Sequence, residues 1–427
     1  MDLMTDSQNI ENSPATSPAN APAISPAISP VADVAEHPLA GQVIALTSGG
    51  TGGHMFPAVA LARALVRRGA KVLFFTDARA ARYTDDVDGV ETIILPAGGI
   101  AGKGIKGRII GALRLGLGTM KARSLLKKAK PAVVIGFGGY ASIPATLSAK
   151  WLGIPFAIHE QNAVLGRANR MVAGAAKRIA TSFPTVTMLA ADDEAKVIWT
   201  GNPIRHEVAA LANTEYDVPT TDGPVRLLIT GGSQGARVLS EILPAALVAL
   251  PRDLRNRLVV TQQARAEDLD AVRKTYDGSG IDVTLASFID DIPDRLRDCH
   301  LVIARSGAST VAELTAAGRP SILVPLPHAI DDHQRFNAQQ VEDAGGAWLL
   351  PQDRFTVDVL SERLTKLLQN PSALTRAAKA AKSTGRPNAA ERLADMVLDL
   401  LGLNPAGTPD LENINIKDAQ KTRGDSL

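Results

Sequence analysis

One cysteine, Cys299, is present in 427 residues, which excludes an internal disulfide and a cysteine-rich metal centre. It opens a hydrophobic run and reads as a buried side chain. Aromatic residues make up only 4% of the chain, leaving few platforms on which bases could stack. Net charge is only +2, so no global field points to nucleic acid, and none is expected as a partner. Long apolar runs are missing too: nothing approaches the roughly 18 consecutive apolar residues that a membrane-spanning helix needs.

Two further absences are local. Lys and Arg are missing before Arg63, and Asp and Glu are missing from Thr92 to His159, a span that holds ten Lys or Arg. Most of these bases fall between Lys103 and Lys130, interleaved with apolar residues in a loop-then-helix pattern that includes Lys103, Ile105, Lys106, Arg108, Ile109 and Arg114. Such a stretch could rest on an anionic membrane surface, each nearby base contributing about 1 kcal/mol. The alternative is a solvated helix face; the missing acids favour the membrane reading.

Residues 1–38 are rich in Pro, Ala and Ser, with the local repeat Ala23-Ile24-Ser25-Pro26-Ala27-Ile28-Ser29-Pro30. This composition buries too little apolar area to offset the entropy of ordering, so a disordered tail is expected. It lacks the basic and apolar regions of a signal peptide.

From Gly41 onward, short apolar runs alternate with helical patterns. Strands are predicted at Val43–Leu46, Lys71–Phe75, Thr92–Leu95, Ala132–Ile135 and Phe156–His159, with helices at Ala58–Arg68, Gly111–Lys128 and Ile143–Leu152. Pro203 and the polar stretch Asn213–Gly223 mark a linker, after which the pattern restarts. Strands follow at Val225–Ile229, Leu258–Thr261, Val283–Ala286, Leu301–Ala304 and Ser321–Val324, with helices at Leu239–Ala249, Thr310–Ala317 and His333–Asp343. Three more helices, Val357–Gln369, Pro371–Lys382 and Asn388–Leu401, precede a polar tail. Alternation of this kind predicts an α/β protein of two doubly wound, Rossmann-like domains with a ligand cleft between them. The expected units are 39–205, 206–387 and a flexible tail at 402–427.

A glycine-rich turn occurs twice, as Thr47-Ser48-Gly49-Gly50-Thr51-Gly52-Gly53-His54 and as Thr230-Gly231-Gly232-Ser233-Gln234-Gly235-Ala236-Arg237. Each follows a strand and precedes a helix, the arrangement that aims backbone N–H groups and a positive helix end at a phosphate. No Gly-Lys-Ser/Thr follows, so neither is a Walker loop, and His54 and Met55 spoil a dinucleotide fingerprint. His54 stands where a helix begins; it is either a general base kept neutral by the helix end or a residue that caps the turn. His159-Glu160-Gln161-Asn162 ends a buried strand, where Glu160 and Asn162 could bind sugar hydroxyls or cap a loop. Glu313 could accept ribose hydroxyls, or Thr310-x-x-Glu313 could be a capping box. Asp331, Asp332 and His333 are adjacent and have no partner cluster, so no metal is expected.

Taken together and in order, Gly49 to His54, Gly138-Gly139-Tyr140, His159 to Asn162, Gly201-Asn202-Pro203-Ile204-Arg205, Gly231 to Arg237, Phe288-Ile289-Asp290-Asp291, Arg305 to Ala308 and Asp332-His333-Gln334 resemble the bacterial peptidoglycan glycosyltransferases that make lipid II from lipid I. The resemblance spans about residues 41–400 and leaves the first 38 without a counterpart. It implies a GT-B fold, inverting transfer of N-acetylglucosamine from UDP-N-acetylglucosamine without a cofactor, and attachment at the cytoplasmic face of the inner membrane. By this likeness Thr51, Gly52, Gly53, Asn162, Arg205, Ser233, Ile289, Glu313 and Gln334 contact the sugar nucleotide, and His54, with Glu160 second, is the base. The 103–114 stretch matches the family's membrane patch, and helix 388–401 is expected to return to the first domain. Lipid I is the implied acceptor, and a cell-wall synthesis complex is an assembly the protein could join. Thr261-Gln262-Gln263-Ala264-Arg265 lies where relatives often carry a more hydroxyl- and glycine-rich loop. Rival readings are a UDP-sugar epimerase of the same fold, a non-catalytic glycolipid-binding scaffold and a nicotinamide dehydrogenase.

Overall fold

The computed structural model describes residues 37–50, 52–85, 87–96, 105–232 and 235–404. Residues 1–36 and 405–427, where tails are expected, lie outside the described residues.

Two parallel sheets carry the fold. The first contains β1 (Val43–Thr47), β2 (Lys71–Thr76), β3 (Val90–Ile94), β4 (Val133–Gly136), β5 (Phe156–Glu160), β6 (Arg178–Thr181) and β7 (Val197–Trp199), in the order β3-β2-β1-β4-β5-β6-β7. The second contains β8 (Val225–Thr230), β9 (Leu258–Gln263), β10 (Asp282–Ala286), β11 (Leu301–Ala304), β12 (Ser321–Leu323) and β13 (Ala347–Leu349), in the order β10-β9-β8-β11-β12-β13. Strands β4, β5 and β11 are buried along their whole length, as expected of strands with helices on both faces. In each sheet the chain order reverses beside the first strand, between β1 and β4 and between β8 and β11, and these switch points open a crevice at the strands' carboxyl ends.

Helices of eight or more residues are α1 (Gly52–Arg67), α2 (Ile105–Ala129), α3 (Ile143–Leu152), α4 (Arg237–Val248), α5 (Leu269–Tyr276), α6 (Ala308–Ala316), α7 (His333–Asp343), α8 (Val357–Leu368), α9 (Pro371–Thr384) and α10 (Ala389–Leu401). Helix α1 begins six residues earlier than predicted and runs through Pro57, whose missing N–H costs one bond near the N-terminal end. Helix α2 also begins six residues early, at Ile105. The short strands β6, β7 and β13 and helix α5 were not predicted.

The last helix crosses back. Leu393, Ala394, Met396, Val397 and Leu398 of α10 are buried in the same apolar cluster as Ile44, Leu46, Leu61 and Leu65 of the first half. Charge fixes its orientation: Arg68 of the α1 end reaches Glu391 at 2.8 Å and Asp395 at 2.7 Å. The crossing passes Gly201, whose φ of +86° and tight packing against Arg386 leave no room for a side chain. Arg386 in turn stacks on Trp199, 3.5 Å from the ring centroid. Cys299 is buried, as the sequence suggests.

Candidate active site

The first glycine turn lies at the carboxyl end of β1, beside the switch point. It packs against the Gly138–Ala141 turn after β4 so closely that a Cβ on Gly49 would collide with that of Ala141. Asp77, at the end of β2, braces the turn: the Gly50 N–H donates to its Oδ2 at 3.1 Å, and the N–H groups of Arg79 and Ala80 donate to its Oδ1 at 2.9 and 3.2 Å. Sequence reasoning missed Asp77; an acid directly after an apolar strand was the available signal. Gly52 and Gly53 open α1, and His54 is its third residue. Thr51 lies outside the described residues.

The His54 ring sits over Gly138 and Gly139, which have φ values of +78° and +72°. Its Nδ1 lies 2.7 Å from Oε1 of Gln161. The Gln161 amide nitrogen lies 2.9 Å from Nδ1 of His159 and 3.1 Å from the His159 carbonyl, and Nε2 of His159 lies 3.0 Å from the Gly201 carbonyl. Burial pushes the pKa of His159 down to about 4, against the opposing hydrogen bond to Gly201.

Glu160 is fully engaged. Its Oε1 accepts the backbone N–H of Asn162 at 3.0 Å and that residue's side-chain amide at 3.4 Å. Its Oε2 accepts the Gly166 N–H and the Asn169 amide, each at 2.8 Å. With four donors on two oxygens, this carboxylate organises the 162–169 loop. Asn162 meets the other half of the chain: its Oδ1 accepts Nδ2 of Asn337 at 3.1 Å.

In the second half, Gln263 of the Thr261–Arg265 segment reaches the second glycine turn. Its Oε1 accepts the Thr230 hydroxyl and the Gly231 N–H, both at 3.0 Å, so it braces the second glycine turn much as Asp77 braces the first. Ser233 lies outside the described residues; beyond it α4 starts at Arg237, and its N-cap residue, Ala236, provides no side-chain cap. Ile289 is buried in the core of this half. The capping-box reading of Thr310 and Glu313 is overturned: α6 starts at Ala308 with Gly307 as N-cap, which puts Thr310 inside the helix and Glu313 in its second turn. Glu313 instead pairs with Arg205, the guanidinium approaching Oε1 to 2.9 Å. Burial raises the pKa of Glu313, and Arg205 opposes that rise. Gln334, on α7, accepts the Leu326 N–H at 3.0 Å. Arg305 is buried and donates to the carbonyls of Val324 and Pro325 at 3.1 and 2.9 Å, so it shapes the loop after β12.

That loop folds over the first half. Asp331 and Asp332 both have φ of +53°, an uncommon conformation for residues other than glycine. Asp331 bonds to Arg167 at 3.1 Å and Arg170 at 2.6 Å, and the hydrogen bond from Arg167 holds its carboxyl below the usual range. Between the loop and the first glycine turn is a cavity of about 450 Å³ lined by Gly49, Gly50, His54, Tyr140, Glu160, Asn162, Asp331 and His333, among others.

Of the residues singled out in the sequence, His54, Glu160 and Asn162 therefore share one cavity, and Arg205 and Glu313 meet each other. Ile109 and Arg114 are exposed on α2. Lys103 lies outside the described residues, as do the side chains of Ile105, Lys106 and Arg108, although 105–108 are helical. On α2, Ile109, Leu113, Leu117 and Met120 form an exposed apolar stripe at helical spacing. Among the described residues, no helix is long and apolar enough to cross a membrane, and no three His, Cys, Asp or Glu side chains converge on a metal position.

Both halves of the chain match known proteins. Residues 44–181 match the glycosyltransferase family 28 N-terminal domain and residues 226–393 its C-terminal domain. The chain is 55% identical, over 84% of its length and 97% of the relative's, to the UDP-N-acetylglucosamine–N-acetylmuramyl-(pentapeptide) pyrophosphoryl-undecaprenol N-acetylglucosamine transferase of Paramagnetospirillum magneticum. It is 53% identical to the protein of that name from Rhodospirillum centenum, over 86% of this chain and 97% of the relative. Among solved structures, MurG of Acinetobacter baumannii aligns with a TM-score of 0.70 and 30% identity, covering 84% of this chain and 99% of that one.

Proposed function

This chain belongs to the UDP-N-acetylglucosamine–N-acetylmuramyl-(pentapeptide) pyrophosphoryl-undecaprenol N-acetylglucosamine transferases of glycosyltransferase family 28, and we propose that it carries out the transfer for which those relatives are named. N-acetylglucosamine passes from UDP-N-acetylglucosamine to the C4 hydroxyl of the muramyl sugar in lipid I, giving lipid II with inversion at the anomeric carbon. The observation that carries this reading is the cavity between the two halves, where His54 stands at the start of a helix opposite Asp331 and His333.

His54 takes the proton from the attacking hydroxyl, within the 2.6–3.2 Å reach that general-base catalysis demands of the bound acceptor. Glu160, saturated by four donors, positions Asn162 rather than competing for that proton. The UDP group leaves toward the second glycine turn, where Ser233 and the N-terminal end of α4 offset its charge. Gly52, Gly53, Thr51, Asn162, Arg205, Ile289, Glu313 and Gln334 complete the donor site, with Ile289 contributing its backbone to uracil and Glu313 accepting the ribose hydroxyls. Attack is direct, with no covalent enzyme intermediate.

Residues 39–205 with 388–401 form the acceptor unit and 206–387 the donor unit. The stripe Ile109, Leu113, Leu117 and Met120, with Arg114 and the bases around 103–108, rests on anionic lipid at the cytoplasmic face of the inner membrane. That placement puts a lipid-linked acceptor beside His54 and leaves the donor unit free to join other cell-wall enzymes. The test is incubation with labelled UDP-N-acetylglucosamine and a short-chain lipid I analogue, followed by product mass. A disaccharide product with stoichiometric UDP is expected; UDP release without acceptor, or none with it, would refute the assignment.

A further inference from the structure

We propose that Gln161, held in place by His159, fixes His54 as the Nδ1–H tautomer and leaves its Nε2 as the atom that receives the acceptor's proton. The proposal rests on His54 being the base.

Two backbone carbonyls here have a role that cannot be reversed. A carbonyl oxygen only accepts, so the 3.0 Å contact between the Gly201 carbonyl and Nε2 of His159 requires a proton on that nitrogen. With His159 neutral, its Nδ1 is then a lone pair that needs a donor. The depressed pKa of His159 supports the neutral form. The only group of Gln161 that can satisfy this lone pair is its NH2, at 2.9 Å. The same NH2 lies 3.1 Å from the His159 carbonyl, again an obligate acceptor. Turning the amide over would set its oxygen against two acceptors at once. Its oxygen must therefore face His54, and at 2.7 Å from Nδ1 it can only accept. A proton is thereby required on Nδ1 of His54, and the neutral ring keeps its lone pair on Nε2.

A neutral imidazole in water favours the opposite tautomer, with the proton on Nε2, so this chain of contacts reverses an intrinsic preference. The supports are rigid. Gln161 and His159 are buried, and the Phe137 ring packs 5.3 Å from that of His159. The far end of the relay is Gly201, on the segment that leads from the first half to the second. Gln161 and His159 are positioning residues: neither lines the cavity, and they act through His54.

The experiment is a two-bond proton–nitrogen correlation spectrum of full-length protein labelled with nitrogen-15 histidine, the His54 signals being assigned from their loss in His54→Gln. His54 is expected with a protonated Nδ1 and a pyridine-like Nε2. Gln161→Met, which removes the acceptor at similar volume, is expected to shift the ring toward the Nε2–H form. It should lower kcat roughly a hundredfold or more, on the scale of general-base catalysis and below the roughly 10⁴ that a wrong tautomer costs a Ser-His-Asp triad, while KM for UDP-N-acetylglucosamine stays within about threefold. An Nε2–H tautomer in the unaltered protein, or a folded Gln161→Met with unchanged kcat, overturns the proposal. If Gln161→Met does not fold, the spectrum of the unaltered protein decides alone. Because that spectrum needs no turnover, a chain with the expected tautomer but no transferase activity would refute the functional reading and leave the tautomer assignment standing.

Discussion

Asn337 and Ala163 come from opposite halves of the chain, and the side-chain carbonyl of Asn337 accepts the Ala163 N–H at 2.8 Å. The Asn337 amide also donates to the Ser306 carbonyl and to Asn162, both at 3.1 Å. One fully buried side chain thus ties the loop after β5 to the loop after β11, two of its three bonds joining the two halves.

Asn337→Ala leaves the Ala163 N–H buried without a partner, a loss expected to cost about 1–3 kcal/mol. Urea denaturation of the two proteins measures it. Because Oδ1 of Asn162 also loses its Asn337 donor, KM for the donor is expected to rise more than kcat falls.

The ion pairs of Asp331 cross the same cleft but nearer to water: the side chains of Arg167 and Arg170 are 52% and 31% exposed. Solvent screening limits such pairs, so Asp331→Ala is expected to cost less than about 1 kcal/mol, and less again at high salt. Thermal melts across a salt series distinguish this from the salt-independent loss expected at Asn337.

His159 has a folded pKa of about 4 against an ordinary 6.5. Between those values the unfolded chain binds a proton that the folded one refuses. The contribution of neutral His159 is therefore complete above pH 6.5 and is lost as pH falls toward 4, on the order of 3 kcal/mol in all. Denaturant-derived stability measured from pH 7 to 4 should fall more steeply in the natural protein than in His159→Gln. Parallel pH profiles would refute the assignment.

The α2 stripe predicts a separable loss. Leu113→Glu with Leu117→Glu replaces exposed side chains, so the fold should tolerate both within about 1 kcal/mol. Sedimentation with anionic vesicles is expected to drop roughly tenfold or more, with turnover on a short-chain acceptor unchanged.

Leu393 lies in the first half's core although it belongs to the last helix. Leu393→Ala is expected to destabilise by about 2–5 kcal/mol, measured by guanidinium denaturation.

Much of this architecture was legible in the sequence, because buried parallel strands are short apolar runs and the glycine turns punctuate them. The strands that escaped, such as Val197–Trp199 and Ala347–Leu349, have only three residues, too few for any periodicity to register. His54, Glu160 and Asn162 were legible as residues at strand ends and helix starts. Gln263 and Asn337 were not, and Asp77 only as an acid after a strand, since each also acts on a backbone group distant in sequence; Asn337 is 174 residues from Ala163. Thr310 and Glu313 misled for the opposite reason: their spacing fits a local cap, but Gly307 starts the helix and Arg205 claims the acid.

The returning helix sets the order in which the protein can mature. The first half leaves the ribosome with the apolar surface around Ile44, Leu46 and Leu65 uncovered, and the segment that covers it is made only after the whole second half. That half cannot complete its folding before residues 389–401 have emerged, however early its strands pair. Nascent chains stalled before residue 389 should stay open to protease in the first half, while release of the full chain closes both halves together.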